Sequence, residues 1–266
     1  MQAIEKAVFY AKLATLARGQ DPCGRIYFGQ EFCQRLMPRA ADVTRAVEIA
    51  RERKAAFTLV TPFVTNAGMA LVKEAIGYAV SCDAAGLEVV VNDWGVLNFM
   101  YREYPSIPLA AGRLLTKQKR GPQLLAIRNK IPATTMDHFQ RSNIDVPHVR
   151  DFLAAMGIKR VELDNLLQGL KRPAECLPAS LYHPYGYVTT TRLCLMADGA
   201  NPSKNLRSIC RCNRECQAYD VTMNHGDMPV PILLKGNTQF YANDTLPADL
   251  AALNITRLVL EPTIPI

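Results

Sequence analysis

The sequence predicts a distorted (β/α)8, TIM-barrel-like fold, with residues 1–266 forming a single α/β domain. Three observations carry this expectation. Short apolar runs of three to eight residues alternate with segments of helical periodicity, the pattern of parallel β/α units. About eight such runs fit into 266 residues, a length suited to one barrel. The composition, 49% hydrophobic with 17 Pro and 15 Gly, supplies one large core. An open doubly wound sheet is the alternative topology. No G-x-G-x-x-G or G-x4-G-K-[ST] motif follows the early strands, so a nucleotide-binding version of that sheet has no support.

In chain order, the first segment reads as a short helix that breaks at Gln20-Asp21-Pro22, and RIYFG (25–29) as a short strand. Residues 40–53 are helical, with Val43, Ala46, Val47, Ile49 and Ala50 on one side. FTLVTPFV (57–64) reads as a buried strand. Residues 67–85 read as a helix closed by Gly86. LEVVVND (87–93) is the next strand, VLNFMYREY a helix stopped by Pro105, and IPLAAG (107–112) a fourth strand. Residues 117–141 mix basic residues, prolines and apolar side chains and break the alternation; they read as an insertion. The rhythm resumes with a helix at 146–156, capped by Gly157, and a strand at 158–165. ASLYHPYGYVTTTRLCLM is β-rich. PVPILLKGNTQFY and residues 256–262 give the last strands, with a short helix expected between them at 246–253.

Charge and targeting bound the function classes. The 31 basic and 24 acidic residues give a net charge of +7, spread along the chain; this permits an anionic partner such as RNA without requiring one. Glu5, Lys6, Lys12 and Arg18 interrupt the amino-terminal segment, so it has no signal-like apolar stretch, and no run is long enough to span a membrane. A cytoplasmic location is expected. There, eight cysteines read as thiols or metal ligands rather than disulfides.

The densest chemistry is the set Cys194, Cys210, Cys212 and Cys216, whose last three members form C-x-C-x3-C. Cys212 and Cys216 can face one centre across a turn. Cys194 can return to it through the polar loop ADGANPSKNLRSI. A fourth ligand must come from Cys210 or from a distant thiol. Cys33 is the distant candidate, because it follows the first predicted strand and would reach the same barrel mouth as Cys194. An iron–sulfur cluster is the leading expectation, with tetrahedral zinc and incidental buried thiols as alternatives. Cys82 reads as a core thiol, and Cys23 and Cys176 as loop residues without partner spacing.

Other residues carry candidate roles. Asp93 ends an apolar strand, where it would face the barrel mouth or cap the next helix. Glu162, set among apolar neighbours, reads as an inward carboxylate. Both are candidate catalytic residues. His183 and Tyr185 belong to an aromatic stretch, a packed loop or a substrate wall. Arg192, Arg207, Arg211 and Arg214 flank the cysteines and would offset cluster charge or hold an anion. Lys117, Lys119 and Arg120 form a basic run that reads as a solvated face. There is no G-x-S-x-G or H-E-x-x-H hydrolase signature.

Several segments together resemble the U32 peptidase (collagenase-like) family, over about residues 24–260. RIYFGQEFC at 25–33 resembles its first strand, VVVNDWGVLN at 89–98 its D-x-G-V-x-N segment, and IPLAAG the strand that follows. MGIKRVELDN resembles the strand bearing V-E-L, KGNTQFYAN more loosely a late strand, and RLCLMAD with CNREC the cysteine region. Within that family the likeness is greatest to the UbiV branch of accessory proteins for oxygen-independent ubiquinone hydroxylation. The resemblance implies a 4Fe–4S cluster held by Cys33, Cys194, Cys212 and Cys216, a barrel fold, and a heterodimer with a related U32-family protein. It also implies a small aromatic substrate such as a ubiquinone precursor; Asp93 and Glu162, read from their own positions, are expected as polar groups near the cluster. The spacing from Cys194 to Cys212 is longer than in that branch, so Cys210 remains an alternative to Cys212. An RNA hydroxylation factor of the same family and a U32-type peptidase are the alternative functions.

Overall fold

Eight short, largely buried strands close on one another in a parallel barrel. The computed structural model describes residues 3–199, 201–205, 211–226 and 228–266. In chain order the elements are β1 (Glu5–Tyr10), α1 (Leu13–Arg18), β2 (Arg25–Gly29), α2 (Ala40–Glu52), β3 (Ala56–Val60), α3 (Asn66–Ser81), β4 (Glu88–Val91), α4 (Trp94–Glu103) and β5 (Leu109–Ala111). Then come α5 (Leu124–Ile127), α6 (Ala133–Phe139), α7 (Pro147–Ala155), β6 (Ile158–Asp164), β7 (Ala179–His183), β8 (Tyr185–Thr190), β9 (Val221–Met223), β10 (Ile232–Lys235), β11 (Thr238–Ala242) and β12 (Ile255–Leu260). The barrel order is β1-β12-β7-β6-β5-β4-β3-β2, and every neighbouring pair runs parallel. A second, antiparallel sheet has the order β8-β11-β10-β9.

Strand alternation explains the core. Val8, Tyr10, Ile26, Phe28, Phe57 and Leu59 face outward to the helices, where α2 presents the buried stripe Val43, Ala46, Val47, Ile49 and Ala50. Ala7, Phe9, Tyr27, Val60, Val90, Ala110, Tyr182 and Val259 fill the barrel interior. Each large side chain so buried contributes about 1.5–3 kcal/mol relative to exposure. One end of the interior is ionic: Glu5 pairs with Arg25 and Arg257, and Arg257 also pairs with Glu88.

The structure corrects several sequence expectations. The first segment is not simply a helix. Residues 5–10 form barrel strand β1, because Ala7 to Tyr10 are buried on both faces and Glu5 is neutralised by two arginines; only residues 13–18 are helical. The third strand stops at Val60, two residues before Pro62, rather than running to residue 64. The helix expected to reach residue 85 ends at Ser81, and Gly86 takes its positive φ in the following loop. No helix forms at 246–253. That segment is irregular and ends in a turn, with Leu246, Leu250 and Leu253 packed on the outer core. The sheet β8-β11-β10-β9 was not foreseen as a separate layer. Residues 117–141 leave the barrel between β5 and β6 as short helical turns, with a bridge between Gln118 and Ser142 at their neck.

Gly29 closes β2 at φ +139, and a Cβ there would lie 2.1 Å from the Val60 carbonyl oxygen. Only glycine meets both conditions without strain. Gly29→Ala is therefore expected to lower unfolding free energy by about 2 kcal/mol or more in chemical denaturation, and an unchanged midpoint would contradict this role.

Candidate metal centre and the barrel mouth

The chain beyond Gly29 distributes four consecutive residues to four jobs. Gln30 donates to the Ala11 carbonyl at 2.9 Å. Glu31 turns into the barrel to Arg113. Phe32 packs on Tyr187 and Phe240, with ring centroids 5.2 and 5.3 Å away. Cys33 then opens a single 3-10 turn, Gln34–Leu36. That turn is fixed by Gln34, whose Oε1 accepts from the Thr65 backbone N–H at 2.7 Å.

Cys33, Cys194, Cys212 and Cys216 line one cavity of about 150 Å³, together with Phe32, Leu36, Phe63, Arg192 and Ile266 among others. The set comes from three places: the turn after β2, the loop after β8, and the stretch that runs from Cys212 into the single 3-10 turn Glu215–Gln217. Asn237 ties the first two together. Its Nδ2 donates to the Phe32 carbonyl and to the Thr191 carbonyl, both at 2.7 Å. Beside it, the Gly236 backbone N–H points at the Met196 sulfur, 2.8 Å away. Asn237 and Gly236 belong to the β10–β11 hairpin, and nothing in the sequence marked that hairpin as the clasp of a cysteine site.

Cys216 is buried, and Cys33, Cys194 and Cys212 are half-buried. Burial pushes the Cys33 thiol up to about 11, with Cys216 and Cys194 acting in the same direction, while the Arg35 and Leu36 backbone N–H groups oppose the rise. Burial likewise raises Cys194, against hydrogen bonds from the Met196 and Ala197 backbone. Gln217 Nε2 lies 3.4 Å from the Cys216 sulfur. Backbone and amide N–H donors therefore already face three of the four sulfurs. This donor set, four thiols with N–H groups in an apolar shell, fits a thiolate-held cluster. Among the described residues, no group of three or more His, Cys, Asp or Glu side chains is placed to hold a metal ion. Arg192 borders the cavity and donates to the Val64 carbonyl at 2.9 Å; Arg211 and Arg214 are exposed. Cys210 and Arg207 lie outside the described residues. Cys82 and Cys23 pack against the outer core, and neither they nor Cys176 border the cavity.

Beneath the cavity, the barrel mouth is closed by a buried ionic knot. Arg113 is fully buried and pairs with Glu31, Asp164 and Glu261. Arg120 also pairs with Asp164. Arg120 is thus buried, not part of a solvated basic face; only Lys117 and Lys119 of that run are exposed. The guanidinium of Arg113 stacks 3.9 Å from the Tyr182 ring centroid and 5.5 Å from that of Phe32. Tyr187 seals the knot from the second sheet, donating its hydroxyl to the Arg113 carbonyl at 3.0 Å. Burial raises Glu261 to about 8, against the pull of Arg113. Two guanidiniums facing three carboxylates become neutral overall when Glu261 holds its proton.

The two candidate catalytic carboxylates lie apart from the cysteines. Asp93 caps α4, accepting from the Gly95 and Val96 N–H groups at 2.7 and 3.3 Å, and from Val64 N–H at 3.1 Å. Glu162 points into the barrel interior, as its apolar neighbours implied. It accepts hydrogen bonds from Ser180 at 3.1 Å and Tyr27 at 3.3 Å. Burial raises Glu162 to about 7, with Arg257 opposing and Glu88 assisting. Neither carboxylate borders the cysteine cavity. His183 ends β7, and Tyr185 opens β8 with its carbonyl accepting from Arg113 at 2.9 Å.

No protein-family model matches this chain, and no curated protein does. Among solved structures, the U32 peptidase Mk0906 is similar over 99% of this chain and 94% of its own, at 10% identity and a TM-score of 0.47. An immunomodulatory active chitinase from Trichuris suis is similar over 97% of this chain and 91% of its own, at 7% identity and a TM-score of 0.37. A chitinase from Chromobacterium violaceum is similar over 97% and 93%, at 10% identity and a TM-score of 0.38.

Two outcomes follow from the buried charges. Arg113→Met leaves three carboxylates without their common partner and is expected to cost about 3–5 kcal/mol of stability; a loss below about 1 kcal/mol, the range of an exposed ion pair, would contradict the knot. Glu162 keeps its proton in the folded state from the unfolded value of 4.5 up to about 7. Unfolding in that window releases the proton, so its contribution to stability falls as pH rises through it. Glu162→Gln is expected to flatten this part of the stability–pH curve, and an unaltered slope would contradict the assignment.

Proposed function

We propose that this chain is an iron–sulfur protein of the U32 peptidase-like family, with a 4Fe–4S cluster held by Cys33, Cys194, Cys212 and Cys216. In this reading it takes part in oxygen-independent hydroxylation of an aromatic substrate such as a ubiquinone precursor. The observation that carries the cluster is the shared cavity: four cysteines, separated by up to 183 positions, border one apolar space. A 4Fe–4S core offers one iron to each thiolate, so its ligands must surround a volume instead of meeting at a point. When bound, the cluster would supply one-electron transfer. The N–H groups directed at Cys33, Cys194 and Cys216 would stabilise thiolate charge and raise the reduction potential, while the apolar lining would limit access of water.

The hydroxylation role and the partner, a related U32-family chain in a heterodimer, are supported by the ordered sequence motifs. The RNA-modification alternative loses part of its support, because Arg120 is engaged with Asp164 and only two lysines of that basic run remain exposed.

Anaerobic purification is expected to yield a brown protein with about four irons per chain. Single Cys→Ala changes at 33, 194, 212 and 216 are expected to lose iron and visible absorption, and changes at 23, 82 and 176 to retain both. A colourless zinc protein would overturn the reading. In a host that depends on this chain and grows without oxygen, Cys33→Ala should accumulate the unhydroxylated ring. Full hydroxylation by that variant would remove the cluster from the reaction.

A further inference from the structure

Next to the cysteine cavity lies a second one of about 460 Å³, and Phe63 borders both. Its volume is within the range of small-molecule sites. Its walls combine two chemistries. Phe63, Trp94 and Tyr187 supply aromatic surface. The Trp94 ring is half exposed, and is steadied by Phe152 in an edge contact at 5.9 Å. Lys117 supplies charge at the opening. Its Nζ donates to the Leu114 carbonyl at 2.8 Å, and among the described residues its other two donors have no partner. Among the described residues, no carboxylate lies within ion-pair distance of Lys117.

Among the described residues, the neighbouring charges are engaged elsewhere and make no ion pair with this amine. Asp93 borders the same space, but both of its oxygens accept backbone N–H groups: Oδ1 from Gly95 and Val96, Oδ2 from Val64. Arg120 is committed to Asp164, and its guanidinium lies 4.2 Å from the Tyr187 ring centroid. Desolvation of the amine beside the cavity wall, with the Arg120 charge adding to it, lowers the proton affinity of Lys117, and a bound anion would oppose both effects.

We infer that this second cavity binds a small aromatic acid, its ring against Phe63, Trp94 and Tyr187 and its carboxylate on Lys117. Phe63 is then the wall shared by the bound ring and the cysteine cavity. On the cysteine side, the Arg192 guanidinium lies 5.5 Å from the Phe63 ring centroid. As the substrate site of a cluster-dependent reaction the assignment rests on the function proposed above; as a binding site it does not.

Trp94 is the single tryptophan of the chain, so its fluorescence reports this cavity directly. The full-length protein, purified anaerobically, would be titrated with benzoate, benzyl alcohol and cyclohexanecarboxylate, with heats of binding measured in parallel. Benzoate is expected to give a saturable fluorescence change. Loss of the charge-assisted hydrogen bond should weaken binding about tenfold or more, both for benzyl alcohol and in Lys117→Gln. Lys117→Arg should restore most of the affinity, and cyclohexanecarboxylate should bind several-fold more weakly than benzoate. Absence of saturable binding by both readouts, equal affinity for benzyl alcohol, or benzoate binding unchanged in Lys117→Gln would overturn the site. Iron content is measured separately. Binding without iron would therefore defeat the cluster reading alone, and iron without benzoate binding would defeat this site alone.

Discussion

Arg113 is the interaction on which the site depends. It lies two residues beyond β5 and meets Glu31 beyond β2, Asp164 at the end of β6 and Glu261 beyond β12. Four separate strand ends are thus held at one point inside the barrel. Burying a charge costs several kcal/mol per ion unless it is paired and hydrogen-bonded, so the arrangement is stable only when its members are present together. Its influence runs outward through the chain: fixing Glu31 fixes Phe32, and fixing Phe32 delivers Cys33. The cysteine cavity therefore inherits its geometry from an ion pair that does not border it.

The same knot changes where chemistry can occur. Parallel barrels usually carry reactive groups in an open C-terminal mouth. Here that mouth is filled by Arg113 and its partners and sealed by Tyr187 and Phe240 from the second sheet. Both cavities are displaced to the seam between barrel and sheet, where Phe63, Phe32 and Asn237 meet loops from distant parts of the chain. The sheet β8-β11-β10-β9 is consequently part of the site: it contributes Tyr187 to one cavity, and its β10–β11 turn contributes Gly236 and Asn237 to the other.

The legible part of this arrangement was local or periodic. The apolar stripe of α2 can be read at helical spacing, and all five of its foreseen members are buried. Cys33 follows barrel strand β2 as expected, whereas Cys194 follows β8 of the antiparallel sheet and not a barrel strand, so the two line one cavity at the seam between barrel and sheet. The illegible part was long-range and polar. EKAVFY looks helical until Arg25 and Arg257 are known to neutralise Glu5. The run containing Lys117, Lys119 and Arg120 looks like a solvated face, because Asp164 lies 44 positions away from Arg120. Arg113 and Glu261 are single charges 148 positions apart, with no spacing that announces a pair. Asn237 has no signal beyond its place in a turn.

X-ray absorption at the iron edge, on anaerobically purified wild type and Cys33→Ala, tests the central claim most directly. Wild type should show iron with sulfur-only first neighbours and further iron atoms beyond them, the scattering of a thiolate-held cluster. Cys33→Ala should lose that pattern or much of its intensity. Zinc in place of iron in wild type, or an intact cluster spectrum in Cys33→Ala, would contradict the claim that the turn after β2 and the distant cysteine loops grip one inorganic core.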